Sequence, residues 1–385
     1  MVIRTCVVVL GLLVACGGGG SAPAPEPVPQ LGDPNPGLSI DQRETFERGL
    51  AVFERRFTRT EGHGPEFNTS SCRSCHSIPT TGGSAPLYRN FQILGNGDGG
   101  GFQPVLPDGR LVLRNFSYER SVREPMPADA TIKAQRNAPP MFGLGLLERI
   151  DDFDIIARHD PNDADRDGIS GRMNIDDTRI GRFGYKAQSG SLVAFVRGPI
   201  FNHMGITTDP LRIPPGTGFR FIAQQNAPET STTDEDGSPD PELSNEDLFD
   251  LVFFVRELAP PAPLPMDAEA TRGEALFDQV GCAACHVPNL VRSGDPVFAY
   301  TDLLLHDMGD ERADGVRDGV ATGREFRTAP LWGLRHHAPY LHDGRADTVD
   351  AAIRLHGGEA QSSRDAYVAL SPADRAAILA FLETR

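Results

Sequence analysis

The chain has 385 residues and a formal net charge of −16, an acidic balance that argues against nucleic acid or anionic lipid surfaces as partners. Hydrophobic residues make up 39%, and 41 Gly with 32 Pro predict loops and short elements rather than long regular ones. Beyond residue 38 roughly 350 residues remain, enough for two or three domains.

The first sixteen residues read as a leader. Arg4 precedes a short apolar run, Val7 to Val14, far too short to span a bilayer and suited to a signal-peptide core. Leu13-Val14-Ala15-Cys16 has the form of a lipoprotein cleavage box, so the expectation is a mature chain that begins at a lipid-bearing Cys16. Several acyl chains together give stable anchoring. Residues 17–38, rich in Gly, Pro and Ala, read as an extended tether. No Asp follows Cys16, which in bacterial lipoproteins goes with sorting to the outer membrane. The expected location is therefore the periplasm of a Gram-negative bacterium, with a secreted, unlipidated chain as the alternative.

Two runs carry the chemistry: Cys72-Arg73-Ser74-Cys75-His76 and Cys282-Ala283-Ala284-Cys285-His286. Each is C-x-x-C-H, the attachment signature of c-type haem. The thiols (Cys72 and Cys75; Cys282 and Cys285) add across the vinyl groups, and His76 or His286 becomes the proximal iron ligand. The sequence holds six cysteines, and the other two, Cys6 and Cys16, belong to the leader. A four-Cys zinc site or two disulfides would leave the His after each pair without a purpose.

The chain also repeats itself. Arg48-Gly49-Leu50-Ala51-Val52-Phe53 precedes the first motif and Arg272-Gly273-Glu274-Ala275-Leu276-Phe277 the second, each with the apolar spacing of an amphipathic helix. Arg136-Asn137-Ala138-Pro139-Pro140-Met141-Phe142-Gly143-Leu144 matches Arg327-Thr328-Ala329-Pro330-Leu331-Trp332-Gly333-Leu334 with one gap. The expected fold is mainly α: two cytochrome c-like haem domains, 39–160 and 265–385, around a loop-rich insert, 161–264. Within the insert, Asp163, Asp165 and Asp167 have the D-x-D-x-D-G spacing of a calcium loop, without a Glu at the twelfth position, Asn174, where Asp176 or Asp177 could substitute. Glu229 to Glu246 reads as an acidic surface loop, and Ser244 to Glu257 as a capped helix.

Several segments resemble one bacterial family: Asn137 to Glu148, Asp167-Gly168-Ile169-Ser170-Gly171-Arg172, Met204-Gly205-Ile206-Thr207, Thr301 to Gly309, Leu341-His342-Asp343-Gly344-Arg345-Ala346 and His356-Gly357-Gly358-Glu359-Ala360. The chain resembles the di-haem oxidoreductases, described as thiol oxidoreductases or peroxidases, which are similar to di-haem cytochrome c peroxidases and to the methylamine dehydrogenase maturation enzyme. In those peroxidases a segment like the one around His342 is followed fourteen residues later by the distal ligand of the second haem. That position here is His356, so the resemblance implies His286/His356 ligation, with Met308 and His306 as competitors and His342 near the haem, bonded to Asp343 or a propionate. Imidazole in place of thioether lowers the potential of such a haem.

For the first haem, the corresponding offset falls near Arg166, where neither His nor Met stands. Its distal face is expected to be open or weakly ligated, with Met204 as a candidate sixth ligand. The peroxidases carry a catalytic Glu in this general region, and Glu148, just after an apolar run, is the carboxylate placed best to take a peroxide proton. His63, His159 and His203 are read as solvent-facing or loop residues, and Trp332 as core or as a residue near a haem. The leading expectation is an enzyme that passes electrons from the second haem to peroxide, or a related small oxidant, at the first, with a periplasmic donor or acceptor protein as redox partner. An electron-transfer cytochrome with both irons six-coordinate, or an oxidase or maturation enzyme acting on a protein partner, are the alternatives. No mature cysteine outside the motifs remains for thiol exchange except Cys16.

Overall fold

The computed structural model describes residues 28–98, 101–106, 110–121, 124–176, 179–212, 234 and 236–385. The leader, Cys16, Asp177 and much of the acidic stretch between 213 and 235 lie outside the described residues.

Two helix pairs frame the molecule. In the first, α1 (Ile40–Glu54) begins in a capping box: Ser39 Oγ accepts from the Gln42 N–H, and the Gln42 side chain accepts from the Ser39 N–H. Its buried face carries Phe46, Gly49, Val52 and Phe53, spaced at three and four residues. The short helices α2 (Leu144–Glu148) and α3 (Asp152–Ile156) follow, then the almost wholly buried α4 (Leu192–Met204). Next comes α5 (Asn245–Glu257), capped by Ser244. It crosses α1, with the rings of Phe46 and Phe53 at 4.9 and 5.1 Å from Phe254. Arg48 pairs with Asp250 at 2.7 Å, and Gly49 lies against the Asp250 carbonyl, where a Cβ would collide with the backbone.

The second pair repeats this. Helix α6 (Ala268–Gln279) is followed by α7 (Val349–Arg354), α8 (Gln361–Ala369) and α9 (Pro372–Glu383). Helix α9 crosses α6 as α5 crosses α1: Arg272 pairs with Asp374, and a Cβ on Gly273 would strike the Ala377 carbonyl. The repeated Arg-Gly dipeptide is thus a helix-crossing device, with an ion pair beside a point of backbone contact. One consequence is that α5, which the sequence reading assigned to the insert, packs on α1 just as α9 packs on α6.

The mainly-α expectation holds only in part: the described residues are 33% helical and 16% strand. An antiparallel sheet is ordered Gly101–Pro104, Phe91–Asp98, Ile132–Arg136. In its last strand Ala134 and Arg136 are buried while Lys133 and Gln135 are exposed, the alternation of a sheet with one solvated face. It covers a small core of Leu94, Leu106 and Leu113. Elsewhere Gly- and Pro-rich loops close into two- and three-residue antiparallel pairs, such as Leu305–Asp307 with Glu325–Arg327. Such local pairings satisfy backbone groups without a strand-length hydrophobic pattern. The insert is not loop alone either, because Leu192, Val193, Val196 and Ile200 of α4 belong to the main core with Phe53 and Phe254. A second core gathers Phe277, Tyr300, Tyr367, Ile378 and Phe381. No helix of the described residues is long and apolar enough to cross a membrane.

Candidate haem sites

The first C-x-x-C-H run folds as a 3-10 turn, Cys72–Ser74, and the His76 N–H returns to the Cys72 carbonyl at 3.1 Å. This brings both thiols and the imidazole to one cavity of ≈440 Å³. Burial pushes the Cys72 thiol up to about 12, so the free thiol stays neutral. His76 directs Nδ1 at two backbone carbonyls, Gly83 at 3.2 Å and Pro139 at 3.1 Å. A carbonyl only accepts, so the ring proton sits on Nδ1 and Nε2 keeps its lone pair, the tautomer of a metal ligand. Burial pushes the ring down to about 4, which keeps it neutral. The Phe53 ring of α1 lies 6.1 Å away.

The residues fit a haem. The cavity wall is largely apolar, with Phe142, Phe183 and Leu251 among its side chains. Arg327, also in the wall, is half-buried, donates to the carbonyls of Gly184 at 3.0 Å and Thr328 at 2.9 Å, and forms no ion pair with a carboxylate among the described residues. Burial pushes its guanidinium down to about 10. A buried charge without a partner is costly, and a haem propionate would supply one.

Among the other polar or sulfur-bearing residues that line this cavity are His203, Met204, Asp176 and Asp318. His203 and Met204 end α4, whose last carbonyls are clamped by Arg114: Nε to Asn202 at 3.1 Å and Nη2 to Phe201 at 2.6 Å. His203 was expected at the surface. It is instead half-buried in the cavity wall and pushed down to about 4, first by desolvation and then by the nearby Arg114 charge. Asp318 was missed altogether: burial, with Asp176 beside it, raises its carboxyl to about 6 against the opposing charge of Arg136. No local motif marks it, because the turn at Asp318 to Ala321 reaches the first cavity from the second half of the chain.

Glu148 does not line the cavity. Its carboxylate accepts from Arg256 Nε at 3.0 Å and from the Leu192 N–H at 3.3 Å, tying α2 to α5 and to the start of α4. The carboxylate expected to be the base is thus held in a buried ion pair and not in the cavity wall. His63 too is buried, between the Tyr118 hydroxyl at 3.0 Å and the Thr69 carbonyl at 2.8 Å, and His159 Nδ1 lies 3.1 Å from the Gly171 carbonyl. Trp332 stands in the wall of the first cavity although it belongs to the second repeat.

The second run forms the same turn, Cys282–Ala284, with the His286 N–H on the Cys282 carbonyl at 3.0 Å. His286 Nδ1 meets the Tyr300 carbonyl at 2.9 Å. His356, just past α7, meets the Ala352 carbonyl through Nδ1 at 2.8 Å. Both rings thus leave Nε2 with its lone pair. They lie close enough that, after burial and the Tyr300 hydrogen bond, His356 is the next influence on His286, which is pushed down to about 4. The Phe277 ring is 6.4 Å from His286, repeating Phe53. Both ring nitrogens of His306, the competing candidate, are engaged by other side chains: Nε2 by Asp302 at 2.8 Å, and Nδ1 by Glu359 at 3.2 Å and Cys285 Sγ at 3.6 Å. His342 stacks on Phe326 at 4.3 Å, while Asp343 is taken by Arg345 at 2.5 Å and not by His342.

The oxygens of Asp163, Asp165 and Asp167 lie within 4.8 Å of one another. Asn174, at the twelfth position, instead donates to the carbonyls of Lys186 and Asp318, each at 2.8 Å, and Asp176 Oδ2 accepts from the Gly190 N–H.

Two C-x-x-C-H turns of one design, each backed by a phenylalanine and ending in a histidine whose Nδ1 meets a backbone carbonyl, fit a protein that carries two haems. Residues 117–385, well over half of the chain, match the family model described as "Di-haem oxidoreductase, putative peroxidase", and the chain belongs to this family. Among curated relatives, the methylamine utilization protein MauG of Methylorubrum extorquens is 32% identical over 130 residues, 30% of this chain and 34% of that protein. Cytochrome c551 peroxidase of Pseudomonas aeruginosa is 29% identical over 124 residues, 31% of this chain and 34% of that one. These alignments span about a third of the length of either relative. The solved diheme peroxidase BthA from Burkholderia thailandensis covers 92% of this chain and 87% of its own at 13% identity and a TM-score of 0.42.

Proposed function

We propose that this protein reduces peroxide, or a related small oxidant, at a haem attached through Cys72 and Cys75 under His76, with electrons entering through a haem attached through Cys282 and Cys285 and held between His286 and His356. The observation that carries the reading is the first cavity: a haem-binding turn, an anion-seeking Arg327 and the acid–base groups Asp318 and His203 share one wall. The bound haems supply electron storage and the iron at which an O–O bond is cleaved. In balance, one hydrogen peroxide takes up two electrons and two protons and yields two waters.

The chain's own part is positioning and proton handling. His76 and Arg327 orient the macrocycle, one by its Nε2 lone pair and one by charge. Asp318, raised to about 6, is ionised at neutral pH and can take the first peroxide proton. The apolar wall keeps bulk water away from the reacting oxygens. His286/His356 ligation is supported by the matching Nδ1 hydrogen bonds of the two rings.

The test is peroxide turnover with a reduced small cytochrome as donor, together with an electron paramagnetic resonance spectrum of the protein as isolated and after one-electron reduction. One high-spin ferric signal lost on adding peroxide, with turnover, is the expected result. Two low-spin signals in both states would sink it in favour of an electron carrier, a second reading that Met204 in the wall of the first cavity favours.

The reading extends to a calcium ion on Asp163, Asp165 and Asp167, supported by their converging oxygens and tested by calorimetric titration with calcium. It extends also to a periplasmic redox partner protein and to a lipid anchor at Cys16, supported by the leader sequence. Labelling with a radioactive fatty acid that fails to mark the protein would remove the anchor.

A further inference from the structure

We propose that His203 serves the first cavity as a hydrogen-bond donor through Nε2–H to a small ligand held there, and not as an iron ligand. The inference deepens the peroxidase reading, and it rests on that reading only in seating a haem over His76.

The argument starts from Asn68. Its Oδ1 accepts from the backbone N–H of Asn115 at 2.9 Å, and its Nδ2 donates to the backbone carbonyl of Leu113 at 2.9 Å. A backbone N–H can only donate and a carbonyl can only accept, so this amide has one permitted orientation. The Asn115 side chain adds a second donor to the same Oδ1, at 2.9 Å. The remaining Nδ2 hydrogen of Asn68 is directed at His203 Nδ1, 3.4 Å away. That contact is long, but its polarity is fixed: a proton on Nδ1 would set two N–H donors face to face. The His203 proton therefore resides on Nε2.

This is the reverse of the other three rings. His76, His286 and His356 each turn Nδ1 to a backbone carbonyl and leave Nε2 bare, ready to ligate iron. His203 turns Nδ1 to a donor and leaves Nε2 as an N–H, ready to donate. Among the described residues nothing bonds to that Nε2, and the ring lines the cavity that His76 also lines. Two contacts hold its orientation: the Phe91 ring packs edge-on at 4.6 Å, and Arg114 clamps the α4 carbonyls just before it. A positioned donor of this kind favours ligands with an acceptor atom, such as a peroxide oxygen, and polarises the O–O bond as negative charge develops on it.

The test uses the fully haem-loaded protein, reduced and exposed to carbon monoxide, with the C–O stretch read by infrared spectroscopy. A donor hydrogen bond lowers this stretch. His203→Leu should move it to higher wavenumber and His203→Gln, which keeps an N–H, should leave it between the two, with two haems per chain retained by pyridine haemochrome assay. An unmoved stretch in His203→Leu, or failure of the wild type to bind carbon monoxide at the first haem, overturns the proposal. So does a wild-type first haem that is low-spin and becomes high-spin in His203→Leu, since His203 would then be a ligand. Asn68→Asp gives an independent check: it keeps the acceptor for Asn115 but presents an oxygen to Nδ1, which moves the proton there and bares Nε2. The first haem should then turn low-spin, and an unchanged spin state with an unchanged C–O stretch would count against the tautomer argument. Peroxide turnover of His203→Leu should fall ~10²-fold. A shifted stretch in a protein that never turns over peroxide would fail the peroxidase reading alone. An unmoved stretch beside normal wild-type turnover would fail the His203 assignment alone.

Discussion

Gly49 of α1 lies against the backbone carbonyl of Asp250 in α5 so closely that no Cβ fits between them, and Gly273 of α6 stands in the same relation to Ala377 of α9. Both contacts lie one turn before the phenylalanine that backs the histidine of a C-x-x-C-H turn, Phe53 or Phe277. The crossing point of each helix pair therefore sets the floor of each haem site.

Gly49→Ala should push α1 off α5 and cost about 1–3 kcal/mol, the usual range for overpacking a filled interface. Gly273→Ala should cost a similar amount. Chemical denaturation of the two variants reads this directly, and stability equal to wild type would mean that the helices part without penalty.

Glu148→Gln should leave peroxide turnover near wild type, since Glu148 lies outside the cavity. It should lower stability by about 3 kcal/mol, because it strips the charge from a buried partner of Arg256. A turnover loss of ~10²-fold with unchanged stability would instead restore Glu148 as the base.

Asp318 carries the pH dependence. Its carboxyl is raised to about 6, so it is protonated and idle as a base below that pH and ionised above it. Turnover should climb as pH rises through about 6. Asp318→Asn should flatten this limb and cut the plateau ~10²-fold. A pH profile that keeps its limb in Asp318→Asn would assign it to another group.

His356→Met should raise the reduction potential of the second haem, within the ~0.8 V over which axial ligands act across haem proteins. Redox titration followed in the visible spectrum reads this. An unchanged potential and spectrum would remove His356 from the iron.

Much of the site was legible in the sequence because it is local. A C-x-x-C-H turn needs only five consecutive residues, and the Arg-Gly-x-x-x-Phe repeat announces a helix crossing twice over. His356 came only from the resemblance to the di-haem peroxidases, through its fourteen-residue offset from His342. Asp318 and His203 were not legible, for the opposite reason. One reaches the first cavity from the far half of the chain, and the other takes its chemical character from Asn68, itself oriented by Leu113 and Asn115. The setting of Glu148 was not legible either, because sequence proximity to an apolar run says nothing of Arg256, more than a hundred residues away. By itself, then, the sequence determined the two C-x-x-C-H turns, the histidine that ends each of them and the repeat that supports them. The tertiary structure alone decided which side chains face the first cavity and where their protons sit, since burial and hydrogen-bond polarity depend on neighbours brought together only by folding.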